Sequence, residues 1–228
     1  MNITLAFDVY GTLIDTQGIT SSLEKYAGPQ AAEFARLWRE KQLEYSFRRG
    51  LMQNYVSFDI CTSHALAFAS SALKIPLQQS DKDSLMYQYK VLPAFADVKN
   101  GLAKAKQAGF RLFAFSNGRA NDVEALLNHA GISDYFIDVV SVDEMKSYKP
   151  NPGVYSHFLR RSAATCSEAW LVSGNPFDVI GAVSSGMRAA WVKRSPETIF
   201  DPWGIAPTLT VNNLAGIAEQ ISRAGTAA

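Results

Sequence analysis

The chain of 228 residues has little net charge and no long apolar run. It carries 22 Lys plus Arg against 21 Asp plus Glu, a formal charge of +1. That balance gives no basis for binding nucleic acid or an anionic membrane surface. No apolar run approaches the roughly 20 residues that a membrane-spanning helix needs, and the amino terminus lacks the basic leader of a secretory signal. We therefore expect a soluble cytoplasmic protein with neither a nucleic-acid nor a membrane partner.

Cysteines and several common catalytic motifs are also scarce. Cys61 and Cys166 show no metal-binding C-x-x-C spacing and are too few for a disulfide framework. We interpret them as free thiols buried as small hydrophobes. The sequence has no Gly-x-Ser-x-Gly elbow, and it has neither of the glycine-rich loops that bind nucleotide phosphates and dinucleotides. These absences exclude several large enzyme classes.

Apolar segments that resemble buried strands alternate with helical patterns along most of the chain. Six of them, each compatible with a strand, are Ile3–Val9, Arg111–Ser116, Asp138–Val142, Ala169–Ser173, Ala189–Lys193 and Leu209–Val211. Strands separated by helix-length segments indicate a parallel sheet with helices on both faces. Helices are predicted over Val98–Ala108, with Asp97 as its cap, over Asn121–Ala130 and over Leu214–Ala224.

One long segment after the first strand breaks this alternation and contains only helical patterns. The predicted helices are Pro29–Arg49, Ser57–Leu73 and Ser80–Leu92. Ser80 and Asp83 have the spacing of a capping box at the start of the last one. An insertion of ~75 residues is too long for a loop. We expect residues 16–93 to form a helical cap over the carboxyl ends of the strands, where ligands bind in such sheets, and residues 1–15 and 94–228 to form the core.

Polar side chains follow each of the first four predicted strands. In chain order they are Asp8 and Thr12, then Ser116 and Asn117, then Lys149, and finally Ser173, Asn175 and Asp178. Because the carboxyl ends of parallel strands share one edge of the sheet, these groups are placed to converge. Taken singly, Asp8 is better explained as a helix-cap or turn aspartate, and Lys149 as a solvent-facing residue in a proline-rich loop. The ordered set favours an active site.

This ordered set resembles the haloacid dehalogenase superfamily, in which a nucleophilic Asp, a Ser or Thr, a Lys and an acidic motif lie on a Rossmann-like core. The resemblance covers the whole chain and implies an α/β fold: a Rossmann-like parallel sheet core with an inserted all-helical cap subdomain. Phosphatases of the superfamily carry Asp-x-Asp-Gly-Thr, whereas this chain has Tyr10 in place of the second acid. The segments 8–13, 38–45 and 173–178 look like those of the L-2-haloacid dehalogenase branch.

The resemblance implies a reaction as well as a fold. The protein would hydrolyse (S)-2-haloalkanoic acids to (R)-2-hydroxyalkanoic acids and halide. Asp8 would displace the halide with inversion, and water would then hydrolyse the resulting ester at the carboxyl carbon of Asp8. Asp178, assisted by Lys149 and Asn175, is the candidate base or positioner for that water. A halide needs no proton to leave, so the acid replaced by Tyr10 is dispensable. No metal or other cofactor is expected, and the family suggests a homodimer.

Further core residues are assigned supporting roles by the resemblance. Lys149 would hold Asp8 ionised, because an opposite charge favours the charged form of a carboxyl group. Thr12 and Ser173 are suited to hydrogen-bond the carboxylate of Asp8.

The substrate needs groups of its own. Ser116 and the backbone amides after Asn117 would hold its carboxylate, since helix amino termini bind anions. Tyr155 matches a branch position near the same carboxylate, although a core tyrosine explains it nearly as well. Tyr10 is counted among the substrate-binding residues.

Arg39 resembles the halide-binding arginine that this branch carries on its cap. The halide cradle would be completed by Asn117, Phe58 and Phe177. A planar cation beside aromatic walls can stabilise developing halide charge, whereas without the resemblance Arg39 is an ordinary solvated residue beside acidic neighbours. Glu40 and Gly174 depart from the branch pattern, which often has an amide and a second serine there. Glu40 would repel an anionic substrate unless it points away or pairs.

Other functions remain open at this point. Asp8 and Asp178 could ligate magnesium in a phosphatase of the same superfamily. A non-catalytic binding module is the third possibility, although the intact Ser116 and Lys149 argue against it. A hydrolase with a histidine base is disfavoured, because none of the three histidines lies directly after the carboxyl end of a predicted strand. They are His64, His129 and His157.

Overall fold

In the computed structural model of the protein, residues 3–226 are described, with side chains to residue 224. Six strands occur among these residues: β1 Thr4–Asp8, β2 Arg111–Ser116, β3 Asp138–Ser141, β4 Ala169–Ser173, β5 Arg188–Val192 and β6 Leu209–Val211. They form one sheet in the order β3-β2-β1-β4-β5-β6, and every pairing is parallel. The predicted strands and the α/β fold are confirmed, each strand to within one residue at either end. Residues 1, 2, 227 and 228, which belong to the predicted core, lie outside the described residues.

Both faces of the sheet are covered, which explains why the strands are continuous apolar runs. In β1, Leu5 and Phe7 pack into one hydrophobic cluster and Ala6 into the other. In β4, Trp170 and Leu171 divide in the same way. Burying a large apolar side chain stabilises a fold by about 1.5–3 kcal/mol, so alternating side chains anchor the sheet to both helical layers.

The strand order places a crevice beside the end of β1. From β1 the chain runs outward to β2 and β3 and then returns to β4 on the opposite side of β1. In such sheets ligands bind at the carboxyl ends of the strands, where the direction of winding reverses. Asp8 lies at that end of β1, and Ser173 ends the adjacent strand β4. The fold therefore places these two residues beside the crevice where a ligand would bind.

The chain between β1 and β2 contributes the helical insertion. Its helices are α1 Thr20–Ala27, α2 Ala31–Leu51, α3 Phe58–Ala72 and α4 Gln79–Tyr89. No strand occurs among residues 16–93, all of which are described. The predicted start of α4 is wrong. Its capping box is formed by Gln78 and Asp81, whereas Asp83 accepts a hydrogen bond from the side chain of Gln79.

The remaining helices pack on the sheet. They are α5 Val98–Gln107, α6 Ala120–His129, α7 Pro152–Ser162, α8 Pro176–Ser184 and α9 Ile217–Thr226. Two predictions are corrected here. Asp97 does not cap α5 with its side chain, because that carboxylate binds Arg194 and the amide of Leu214. Helix α9 begins at Ile217, three residues later than predicted, after a turn that starts at the tethered Leu214. Within residues 3–226, no helix has both the length and the apolar character to cross a membrane.

Candidate active site

The carboxylate of Asp8 is buried at the end of β1 and accepts four hydrogen bonds. Its Oδ2 accepts from Thr12 Oγ1 at 2.6 Å, Asn175 Nδ2 at 2.7 Å and Ser173 Oγ at 3.3 Å. Among the described residues, its Oδ1 accepts only from Lys149 Nζ, at 3.1 Å. A carboxylate oxygen offers about two lone-pair positions, so Oδ2 is fully occupied. Oδ1 keeps a lone pair that is available for attack on a substrate.

Lys149 joins the two carboxylates of the site. Its ammonium donates to Asp8 Oδ1, to Asp178 Oδ2 at 2.8 Å and to the carbonyl oxygen of Phe115 at 2.8 Å. The residue is 1% exposed. Burial alone would lower the pKa of Lys149, but the carboxylates of Asp178 and Asp8 outweigh burial and raise the pKa above its ordinary value. The ammonium therefore stays charged between two carboxylates.

Asp178 lies in the first turn of α8 with no solvent exposure. Its Oδ1 accepts a hydrogen bond from Tyr155 Oη at 2.8 Å. Burial raises the pKa of Asp178 to about 6, with Lys149 opposing the rise and Asp8 adding to it. Burial and the neighbouring Asp178 raise the pKa of Tyr155 well above its ordinary value, so its hydroxyl remains a donor. Tyr155 thus belongs to the polar cluster and contacts Asp178, a partner that the sequence did not indicate.

Arg39 reaches the core from α2. Its Nη2 donates to the carbonyl oxygen of Tyr10 at 3.0 Å, and Asn175 Nδ2 donates to the same oxygen at 3.0 Å. Arg39 therefore lies beside Asn175, which also contacts Asp8. Asn175 was predicted to assist Asp178, but its amide donates to Asp8 and Tyr10 instead.

Gln42 is a part of this arrangement that sequence reasoning missed. Its Oε1 accepts from Arg39 Nη1 at 2.6 Å and from Tyr89 Oη at 2.9 Å, while its Nε2 donates to Thr62 Oγ1 at 2.6 Å. The side chain is fully buried, and these bonds orient Arg39. The available signal was an amide three residues after Arg39, on the same face of a predicted helix.

The two departures from the branch pattern have structural explanations. Glu40 is exposed and pairs with Arg36 at 2.6 Å, so its charge points away from the site. At Gly174, a Cβ would lie 2.4 Å from the carbonyl oxygen of Gly11, a distance that would force the backbone to move. Gly174 also donates its amide to Thr12 Oγ1 at 2.8 Å. The close approach of these two loops requires glycine at this position.

The aromatic residues predicted for the halide cradle line two separate cavities. The ring of Tyr10 packs on Phe58, with centroids 5.6 Å apart, and on Tyr89, at 6.0 Å. Tyr10 and Phe58 line a cavity of ≈ 30 Å³. Phe177 contacts Phe47 edge-to-face at 4.9 Å and lines a cavity of ≈ 480 Å³ beside Lys149. No ring–ring contact joins Phe58 to Phe177 within the described part of the chain.

The two polar residues that end β2 are engaged with the protein itself. Ser116 Oγ accepts from the Gly118 amide at 3.1 Å, and Asn117 Oδ1 accepts from the Lys149 amide at 3.0 Å. Both side chains are buried. The first amide after Asn117, predicted to face the substrate carboxylate, is therefore bound by Ser116, and Asn117 supports the backbone of Lys149.

The site fits a magnesium ion poorly. Among residues 3–226, no three His, Cys, Asp or Glu side chains are grouped as metal ligands. Asp8 and Asp178 both bind the ammonium of Lys149. A dication between these carboxylates would have to displace a buried positive charge or lie against it. The cationic partner of both carboxylates is thus the lysine.

Comparisons with known proteins agree with this geometry. The model of the haloacid dehalogenase-like hydrolase family matches residues 5–192. Among curated relatives, (S)-2-haloacid dehalogenase 2 of Pseudomonas sp. (strain CBS-3) is 33% identical over 210 residues, which are 92% of this chain and 91% of that protein. Haloacetate dehalogenase H-2 of Moraxella sp. (strain B) is 32% identical over 218 residues, 96% of this chain and 97% of the relative.

A solved structure shows the same architecture. L-2-haloacid dehalogenase from Xanthobacter autotrophicus superposes with a TM-score of 0.88 at 29% identity, covering 97% of this chain and 99% of that one. The structure of that enzyme is also known with chloropropionic acid covalently bound. The match of the family model and the identity to relatives over nearly the whole length show that this chain belongs to the haloacid dehalogenase-like hydrolase family.

Proposed function

We propose that this protein is a hydrolytic dehalogenase that converts (S)-2-haloalkanoic acids into (R)-2-hydroxyalkanoic acids and halide. The observation that carries the proposal is the asymmetric environment of Asp8: within residues 3–226, Oδ2 has three donors while Oδ1 has Lys149 alone. Relatives named for the same activity, and the covalent complex of one of them, support this substrate class and a covalent intermediate.

In the first step, Oδ1 of Asp8 attacks the carbon that bears the halogen from the side opposite to it. The new carbon–oxygen bond forms as the carbon–halogen bond breaks, and the bonding electron pair leaves with the halide. The configuration inverts, and Oδ1 of Asp8 becomes the bridging oxygen of an ester, with Oδ2 as its carbonyl oxygen. No proton is transferred, which accounts for Tyr10 at the position where phosphatases of the superfamily have an acid.

In the second step, water attacks the carboxyl carbon of Asp8. Asp178 accepts the proton from the water, because a pKa of about 6 leaves it ionised at neutral pH. The negative charge that develops on Oδ2 is stabilised by the donors already present there, Thr12, Ser173 and Asn175. Cleavage of the bond between the carboxyl carbon and Oδ1 releases the product as an alkoxide, which takes up the second water proton from the acid group formed at Asp8. Asp8 is thereby restored as a carboxylate that keeps one oxygen from water, and Asp178 returns to its ionised form by releasing its proton to solvent.

The helical insertion, residues 16–93, acts in this proposal as a cap on a core formed by residues 1–15 and 94–228. Its chemical contribution is Arg39, whose guanidinium reaches Tyr10 beside Asn175. There it would stabilise the leaving halide together with Asn117, whose Oδ1 accepts from the Lys149 amide while its Nδ2 remains a donor. Phe58 and Phe177 would take part from the walls of their two cavities. We also assign Ser116 and Tyr155 to substrate binding, although Ser116 Oγ accepts from the Gly118 amide and Tyr155 Oη donates to Asp178 in this structure.

The proposal is tested by measuring halide release from a panel of (S)- and (R)-2-halo acids beside a panel of phosphate esters. We expect release from (S)-2-chloropropionate, (R)-lactate as the product, and no phosphate release. In a single turnover in heavy-oxygen water, the label should enter Asp8 and not the product, and Asp8→Asn should release no halide. Phosphate release that requires magnesium would support the phosphatase instead. Inactivity towards both panels would support a binding module.

We also propose that the protein acts as a homodimer in the cytoplasm. Large apolar side chains are exposed on α2 and α3 or just after α2, notably Leu51, Met52, Ile60 and Phe68, and exposed apolar patches commonly mark interfaces. Both cysteines are free thiols, as is usual in a reducing compartment. Light scattering on the purified protein measures the assembly, and a monomeric mass would contradict the dimer.

A further inference from the structure

Arg194, just after β5, contacts the loop that carries the nucleophile. Its side chain is only 13% exposed. Nη1 binds both carboxylate oxygens of Asp97, at 2.7 and 2.8 Å. Nε donates to the carbonyl oxygen of Thr12 at 3.1 Å, and Nη2 donates to the same oxygen. One planar guanidinium thus joins two segments that lie 85 residues apart in sequence, from Thr12 to Asp97.

Thr12 is the residue through which this contact reaches the chemistry. Its hydroxyl donates to Asp8 Oδ2 at 2.6 Å, the shortest hydrogen bond that this carboxylate accepts, and accepts from the Gly174 amide at 2.8 Å. Arg194 holds the carbonyl group of the same residue. The orientation of the Thr12 hydroxyl is therefore fixed from both ends, by Gly174 at the side chain and by Arg194 at the backbone.

Arg194 also lies beneath the two chain segments that connect the core to the cap. These segments are joined by two backbone hydrogen bonds, from Asp15 N to the carbonyl of Pro93 and from Phe95 N to the carbonyl of Leu13, at 2.9 and 3.0 Å. The guanidinium of Arg194 stacks over the ring of Phe95, 4.2 Å from its centroid. One side chain thus contacts both the outgoing and the returning segment.

We propose that Arg194 is a positioning residue for the nucleophile. Paired with Asp97, it fixes the Thr12 peptide between the two connecting segments and so directs the Thr12 hydroxyl at Asp8 Oδ2, which keeps Oδ1 aimed at the substrate. Arg194 itself touches no reacting atom. The inference rests on the proposed dehalogenase function and adds a residue that acts through Thr12.

The expected cost of losing Arg194 follows from geometry. Without it, the buried carbonyl of Thr12 loses both donors from the guanidinium, and the loop is free to rotate the hydroxyl away from Asp8. A shift of about 1 Å in a reacting group can lower a rate by ~10²-fold. Lysine offers neither the planar fork nor the stacking surface, so it should restore only part of the effect.

The experiment compares Arg194→Gln, Arg194→Lys and Asp97→Asn with the control Arg161→Gln. Arg161 pairs with Glu144 and Asp138 and contacts none of the Asp8 loop. For each variant, kcat, KM and the thermal midpoint are measured on (S)-2-chloropropionate. We expect Arg194→Gln to lower kcat by about tenfold to a hundredfold with KM nearly unchanged, Arg194→Lys and Asp97→Asn to show smaller losses, and Arg161→Gln to lose stability without losing kcat.

A crystal structure of the Arg194→Gln protein separates this inference from the proposed function. We expect the Thr12 Oγ1–Asp8 Oδ2 distance to lengthen beyond hydrogen-bonding range. Parental kcat in Arg194→Gln, or an equal loss in Arg161→Gln, would reduce Arg194 to a structural ion pair. If Arg194→Gln does not fold, parental kcat in both Arg194→Lys and Asp97→Asn would likewise show that Arg194 does not position the nucleophile. If the parental protein releases no halide, the dehalogenase proposal fails, and an unchanged Thr12–Asp8 distance in the variant would overturn the positioning role independently.

Discussion

At the scale of single residues, Tyr10 distinguishes this site from that of a phosphatase of the superfamily. Lys149 bridges Asp8 and Asp178, and Tyr10 replaces the acid that a phosphatase would use. With Lys149 as the cation beside Asp8 and no second acid at position 10, we propose that the reaction needs no divalent ion. We therefore expect turnover of (S)-2-chloropropionate to continue undiminished after exhaustive dialysis against a strong chelator. A loss of halide release that added magnesium restores would contradict this expectation and favour the phosphatase.

The hydrogen bond from Tyr155 to Asp178 has a consequence for pH dependence. With the pKa of Asp178 raised to about 6 by burial, hydrolysis of the ester should decline as the pH falls through that value, because the protonated form cannot accept a proton from water. The Tyr155 hydroxyl lowers the pKa of Asp178, so removing it in Tyr155→Phe should raise that pKa and shift the acid limb to higher pH. The pH profile of kcat measures this shift, and coincident limbs in the two proteins would rule out Asp178 as the group that titrates.

At the scale of elements, helix α2 carries the halide-binding candidate into the core. Arg39 and Arg36 lie on the same helix, but Arg39 reaches Tyr10 whereas Arg36 pairs with the exposed Glu40. If Arg39 stabilises departing halide, Arg39→Ala should lower kcat by about 10²–10³-fold, with a larger loss on 2-fluoro than on 2-chloro acids. Arg36→Ala is the matched control and should keep the parental rate. Equal activity of Arg39→Ala and the parental protein on both acids would mean that Arg39 does not bind the halide.

The sequence predicts the strands and helices better than it predicts the side-chain contacts between them. The strands could be placed to within one residue because β1 to β5 are largely apolar runs whose residues are mostly buried, whereas β6 is buried only at Val211. The capping box of α4 was misplaced because several neighbouring polar residues can serve. Asp97 does occupy the N-cap position of α5, but its carboxylate binds Arg194 across the core instead of capping its own helix. Partners distant in sequence, such as Tyr89 for Gln42, leave no local pattern.

The same difference applies to the candidate site. The residues around Asp8 could be selected because their order along successive strand ends is specific to one superfamily. Their pairing could not, since it depends on the register of β1 against β4 and on the close approach of Gly174 to Gly11. That approach is set by backbone geometry, which a single glycine in a sequence does not reveal. Hence Asn175 was assigned to Asp178, although its amide binds Asp8.

At the scale of the whole molecule, the active site buries two carboxylates and one ammonium at the carboxyl end of the sheet. Removing charge from such a group affects the fold as well as the chemistry. Lys149→Met would leave Asp8 and Asp178 buried without their shared cation, and breaking a buried ion pair in this way typically costs about 3–5 kcal/mol. For a domain of this size, that corresponds to a decrease of roughly 6–20 °C in the thermal midpoint.

The pH dependence of that loss distinguishes buried charge from lost packing. Burial raises the pKa of Asp178 in the folded state above its ordinary value of 3.8, and loss of Lys149 removes the interaction that opposes the rise. The unfolded chain therefore releases the proton of Asp178 at a lower pH than the folded chain, so the stability of Lys149→Met should fall as the pH rises from about 4 through the raised folded pKa. The deficit relative to the parental protein should be larger at pH 8 than at pH 5, as measured by urea denaturation. Lys146→Met, which removes an exposed ammonium paired with Asp143 and lying over the Tyr55 ring, should show a small deficit that does not grow in this way. A pH-independent deficit in Lys149→Met would mean that the lysine stabilises the fold through packing of its alkyl chain.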